Sequence, residues 1–148
     1  MSNIKQLITV LEVERRKEEN LGNQYRLAAQ AVEENKQKLH GLEEYRLTYL
    51  KQLQNKGESG LEAKNLNQHH AFVAKLDRAC EQQTQFLSRA SLVAEQRKTA
   101  WLKQQRQRKA IEQLIDKKQV ALRLQQDKQE QQMFDEFALQ QFSRKASI

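Results

Sequence analysis

Proline is absent from all 148 residues, which removes the commonest interruption of a helix. Glycine occurs only four times, and two of the four stand three apart in "QNKGESGLEA", residues 54 to 63. A single cysteine, Cys80, excludes an internal disulfide. It falls on an apolar helical stripe and reads as a small buried side chain. Aromatic residues make up 6% of the chain, and the mean hydropathy of -0.93 leaves too little apolar material for a thick core. No stretch approaches the roughly 20 apolar residues of a membrane span. The opening "MSNIKQLITV" also lacks the cationic start and continuous apolar run of a secretion signal. These absences predict a cytoplasmic protein. What fills the chain instead is Gln, Leu, Lys, Glu, Arg and Ala, the residues that favour helices, so the expectation is an all-α chain of long, thin helices.

Stepping alternately three and four residues from Ile4 gives Leu7, Leu11, Glu14, Glu18, Leu21, Tyr25, Ala28, Val32, Asn35, Leu39, Leu42, Arg46, Tyr49 and Leu53. Eleven of these fifteen positions are apolar or aromatic, and the residues between them are mostly polar. This is a heptad seam, longer than a surface helix of a globule shows. Its exceptions, Glu14, Glu18, Asn35 and Arg46, cost stability and are candidates for setting register. A second seam runs through Leu66, His69, Val73, Leu76, Cys80, Gln83, Leu87, Ala90, Ala94, Arg97 and Trp101. It continues more weakly through Arg108, Ile111, Ile115 and Leu122. Phe72, Ala79, Phe86 and Val93 form a parallel row beside this second seam, so its apolar face is wider than one partner helix requires.

Between the seams, Gly57 is suited to the left-handed conformation that closes a helix, and Ser59 with Glu62 has the spacing of a capping box. The expected architecture is an antiparallel two-helix coiled-coil hairpin with a C-terminal helical overhang, occupying residues 1–148 as one unit. Arm one covers about 3–56, the turn about 57–60 and arm two about 61–142; a start of arm two nearer Ala63 is the alternative, since Gly60 is a poor interior residue. Folding back about residues 58–60 makes facing positions sum to roughly 117 to 120 and places Ile4 opposite a residue near 113 to 116. With a rise of about 1.5 Å per residue the first arm spans roughly 80 Å, and the second overhangs it by several turns. On that overhang Met133, Phe134, Phe137, Ala138 and Phe142 gather on one helical face, which needs a partner unless it frays or self-associates.

No catalytic constellation is present. There is no phosphate-binding glycine loop, no Cys or His spacing suited to zinc, and no Ser, His and Asp set that a thin hairpin would enclose. His69 and His70 diverge by about 100° on a helix and read as polar residues near a seam. The expectation is a protein that is not an enzyme and carries neither cofactor nor metal. The formal charge of +7 and pI of 9.6 raise the question of nucleic acid. Between Arg97 and Arg123 the chain has nine Lys or Arg against only Glu112 and Asp116. These cations wrap around the helix instead of forming a stripe, and no stacking aromatics are interleaved except Trp101, itself a seam residue. The reading is therefore a solvated helix suited to an acidic protein surface, with Arg106, Arg108 and Lys109 as its test residues, and no nucleic acid, a nucleic-acid-binding coiled coil being the lesser alternative.

Leu42, Tyr45 and Tyr49 lie on one side of the first arm, and the fold-back sets Tyr45 near Phe72 and Leu42 near Leu76. Both arms thus widen their apolar face at the same height. The pattern predicts a partly exposed strip of Leu42, Tyr45, Tyr49, Phe72, Leu76 and Ala79, flanked by Lys38 and Gln83, and suited to carry binding energy. The competing expectation for the whole chain is a plain coiled-coil spacer or homodimeric rod in which residues 57 to 60 form only a kink.

The stretches "YRLTYLKQL", "SGLEAKNL", "AFVAKLDRACEQQ" and "AWLKQQRQRKAIEQL", with the near-terminal "DEFA", together resemble the FliJ family of flagellar export proteins across essentially the whole chain. The resemblance implies an antiparallel two-helix coiled coil similar to the stalk subunit of rotary ATP synthases. It further implies a cytoplasmic component of the flagellar type III export apparatus, monomeric when free, reaching the inner membrane at the flagellar base only through protein partners. The partners implied are the export ATPase FliI, the export gate protein FlhA, and export chaperones. Family gate contacts carry over to Leu42, Tyr45, Tyr49, Phe72, Leu76 and Ala79. Lys38 and Gln83 occupy the remaining positions but depart from the Gln and His that the family pattern places there. The stalk analogy assigns the end away from the turn to the ATPase, with Arg106, Arg108, Lys109, Met133, Phe134 and Phe137 as its candidate contacts.

Overall fold

In a computed structural model, described over residues 2–58 and 63–146, the chain forms two α-helices and no strand among the described residues. α1 is Ser2–Glu58 and α2 is Ala63–Ala146. Their polarity is read from side chains that meet across the pair. Tyr49 meets His69, Asn35 meets Gln83, and Glu14 meets Gln104, so moving back along one helix moves forward along the other. The pair is an antiparallel hairpin, as the two heptad seams require. Without proline, and with helix-favouring residues throughout, nothing in either segment interrupts the backbone ladder. Basic side chains sit in each last turn, Lys56 in α1 and Arg144 with Lys145 in α2, where they complement the negative end of the helix dipole.

The helix ends differ from the expected turn. α1 passes through Gly57 to Glu58, and Gly57 does not adopt the left-handed conformation expected of it; no atom stands near its open side. α2 is described from Ala63, the alternative start, and continues to Ala146 instead of about residue 142. The proposed Ser59 and Glu62 capping box, with Gly60, falls outside the described residues.

This longer first helix moves the register. Residue numbers of the d-position pairs Tyr49/His69, Asn35/Gln83 and Glu14/Gln104 all sum to 118, and those of the a-position pairs Tyr25/Trp101 and Glu18/Arg108 sum to 126. The two kinds of pair straddle the level position from opposite sides, so residues at equal height sum to about 122, not 117 to 120. Ile4 accordingly lies beside Lys118, Ala121 and Leu122 instead of a residue near 113 to 116.

Contacts divide the chain into two units. One comprises residues 19–102, the other residues 1–18 with 103–148. In the first, Leu76 and Ala94 are buried, and the Tyr25 and Trp101 rings stack with centroids 5.7 Å apart. Gly22 is buried beneath that stack, where a Cβ would stand 3.0 Å from Trp101 Nε1. In the second, Leu11 and Ile115 are the buried apolar residues. A fully buried aliphatic side chain contributes about 1.5 to 3 kcal/mol. So few of them leave much of the specificity to half-buried seam residues and to polar pairs.

All four polar interruptions of the first seam are met from α2. Asn35 accepts from Gln83 Nε2 at 2.8 Å through Oδ1 and at 3.2 Å through its carbonyl oxygen. Glu14 is engaged by Gln104 in the same double manner, side chain and carbonyl together. Arg46 pairs with Asp77, and Glu18 with Arg108. Gln83 and Gln104 are buried, at 9% and 7% exposure, so a slip of register strands each amide inside the pair.

Candidate partner-docking site

The aromatic strip is built where the g positions of the two helices face each other in the unit of residues 19–102. Tyr45 meets Phe72 edge-on with centroids 6.3 Å apart and planes at 76°. Tyr49 packs on the same Phe72 ring at 4.8 Å and tilts over the His69 ring at 5.6 Å. Its hydroxyl also hydrogen-bonds His69 Nδ1. Phe72 is thus held from two sides by rings on α1, and Tyr49 is anchored at its polar end. Tyr45 remains 53% exposed, while Tyr49, Phe72, Leu42 and Ala79 are half-buried and Lys38 is exposed.

Two members of the expected strip lie elsewhere. Leu76 is buried between the helices at 7% exposure, because it occupies a d position and points at α1. Gln83, expected on the flank, is the interior amide that holds Asn35. The exposed part of the strip is therefore Tyr45 with the outer edges of Tyr49, Phe72 and Ala79. His69 is a member of the second seam, and its d position opposite Tyr49 is the sequence signal for this pairing.

The basic stretch is not uniform. Arg106 and Lys109 are exposed, whereas Arg108 is half-buried and committed. Its guanidinium donates to Glu18 at 2.7 and 3.1 Å and to Glu112 at 3.0 Å, and Glu112 accepts from Arg15 at 3.1 Å. The hydrogen bond from Arg108, ahead of the opposing effect of burial, holds the Glu18 carboxyl below the usual carboxylate range. Glu112 is held low in the same way, first by Arg15 and then by Arg108. The Arg108 guanidinium is shifted upward by its bond to Glu18. Gln104, which steps regularly between Trp101 and Arg108, was missed as a seam residue, although its spacing in the sequence marks it as one.

At the end of α2 every residue from 123 to 146 is exposed. Met133 is 70% exposed, Phe134 72%, Phe137 58% and Phe142 75%, so among the described residues the apolar face has no covering partner. Among the described residues no group of His, Cys, Asp and Glu is arranged to hold a metal ion. No helix there is long and apolar enough to cross a membrane.

Comparison with protein families bears on this arrangement directly. Residues 3–147 match the family described as flagellar FliJ protein. The chain belongs to the FliJ family. Membership makes it a component of the flagellar export apparatus, and the helical hairpin agrees with the coiled coil expected for that family. Neither the curated proteins nor the solved structures yield a match.

Proposed function

We propose that the protein is a coiled-coil connector of the flagellar export apparatus that docks on the export gate protein FlhA through its Tyr45 and Phe72 patch and on the export ATPase FliI through the region of Arg106, Lys109, Met133, Phe134 and Phe137. In this reading it works from the cytoplasm at the inner face of the membrane, exchanges contacts with export chaperones, and performs no chemistry itself. Binding at one partner alters how the other is engaged, a coupling between two sites on one chain. Family membership supports the setting.

The observation that carries the gate assignment is the half-exposed Tyr45 ring standing edge-on to Phe72 on a helical pair. Large, conformationally restricted aromatics are the usual centres of binding energy at protein interfaces. Binding of the FlhA cytoplasmic portion to Tyr45→Ala and Phe72→Ala variants tests it. Each is expected to weaken binding by about tenfold or more with helicity intact. Unchanged affinity in both would reject the patch.

The exposed face of Met133, Phe134 and Phe137 supports the ATPase assignment, since such a face is costly to leave in water. Phe134→Asp with Phe137→Asp is expected to abolish FliI binding while leaving FlhA binding in place. Loss of neither would remove the assignment.

A further inference from the structure

The g-position row of α2 continues past the gate patch. Phe72, Ala79, Phe86 and Val93 recur every seven residues, and Phe86 and Val93 are 43% and 42% exposed. Across from them on α1 the corresponding row supplies Ala31 and Gln24, and the next row outward supplies Leu27, which is 68% exposed. Gln24, Leu27, Ala28, Val93 and Arg97 line one groove. Arg97 donates to Gln24 at 2.7 Å, which ties the two walls together.

An apolar row at heptad spacing beside an already satisfied a and d seam is the pattern by which a coiled coil takes an additional helix. The second helix of the hairpin does not use it. The rim is basic: Lys75 and Arg89 stand fourteen residues apart on the outer row of α2, Lys38 stands on α1, and Arg97 lies in the groove. The Arg89 guanidinium lies 5.9 Å from the Phe86 ring centre, which places positive charge at the lip of the apolar strip. Glu34 is the single acid on these rows.

We propose that the face made by Leu27 and Ala31 of α1 with Phe86 and Val93 of α2, which includes the groove of Leu27 and Val93, is the docking site of a third helix, amphipathic with apolar residues at heptad spacing and acidic residues along its edges, supplied by a protein partner. The apolar stripe of that helix enters between Leu27 and Val93, and its carboxylates meet Lys75, Arg89 and Lys38. The apolar residues of this face lie outside the gate and ATPase contacts, Lys38 alone flanking the gate strip as well, and the test uses neither partner.

The probe is a fluorescein-labelled synthetic helix of three heptads, apolar at a and d with glutamate at e and g, whose like charges keep it from pairing with itself. A second peptide with lysine at e and g is the control. Anisotropy is measured against the full chain, with circular dichroism as a check on each variant. The acidic peptide is expected to bind, the lysine peptide to bind about tenfold more weakly or not at all, and Phe86→Asp or Val93→Asp to weaken the acidic peptide by about tenfold or more. Because both side chains are already substantially exposed, neither substitution opens the seam. Absence of binding, equal binding of both peptides, or binding unaffected by the two substitutions overturns the proposal. So does sedimentation showing that the free protein self-associates through this face and that Phe86→Asp dissociates it, since a second copy is then the occupant.

Discussion

Two glycines separate local space from helix propensity. Gly41 lies within α1 with no atom near its open side, so Gly41→Ala adds helix propensity without contact, and the hairpin is expected to gain about 0.5 to 1 kcal/mol in thermal or denaturant unfolding. Gly22 lies under Trp101, whose ring is fixed by its stack on Tyr25. Gly22→Val is expected to destabilise by about 1 to 3 kcal/mol in the same measurement, because the ring must leave its stack to make room. The acids around Arg108 give a third residue-scale expectation. Glu18 and Glu112 have carboxyls shifted below 4.5 in the folded chain, so their contribution is present above that value and is lost as pH falls through the lowered values. The unfolding midpoint should therefore decline below about pH 4.5, and less steeply in Glu18→Gln, which has already surrendered that contribution. Equal slopes would mean that Glu18 is not linked to folding. Sequence marked Glu18 as an exception in a seam; it did not name Arg108 as the answering partner, because the choice among nearby cations depends on register.

At the scale of elements, the polar layers act as register marks. Gln83 with Asn35 and Gln104 with Glu14 lie three heptads apart and make the same double contact to side chain and carbonyl. Gln104→Ala leaves the half-buried Glu14 carboxylate without this amide, at an expected loss of about 1 to 2 kcal/mol. Replacing Asn35 and Gln83 together by leucine is expected to raise the unfolding midpoint while broadening the distribution of interhelix distances, because apolar layers reward burial without specifying alignment. The heptad seams, the antiparallel pairing and the Tyr45/Phe72 encounter were legible in the sequence, since two apolar periodicities on either side of one interruption determine which faces meet. The register was legible only to within a turn. It depended on α1 continuing through Gly57, and helix propensity around one glycine does not decide where a helix stops. Leu76 and Gln83 were expected on the exposed strip although both stand in the second seam; the heptad spacing, not the width of the apolar face, decides that they turn inward. The last turns of α2 give a separate expectation. Removal of residues 127–148 should lower the helical signal without moving the cooperative unfolding midpoint, as the described residues there are exposed throughout.

For the whole molecule, the account rests on one chain closing on itself, so that residues far apart in sequence form the Tyr45/Phe72 patch and the face of Leu27 and Val93. Gln24 and Arg97 are hydrogen-bonded in the hairpin, whereas on one continuous helix they would stand roughly 110 Å apart. A homodimer of such continuous helices would bring the same side chains together between two chains. The most direct measurement is therefore a spin-label distance between cysteines introduced at these two positions in a Cys80→Ser background, recorded with labelled protein alone and again after dilution with unlabelled protein. The hairpin predicts a short distance, under about 25 Å, that persists unchanged on dilution. A short distance that vanishes on dilution, or none at all, would contradict it.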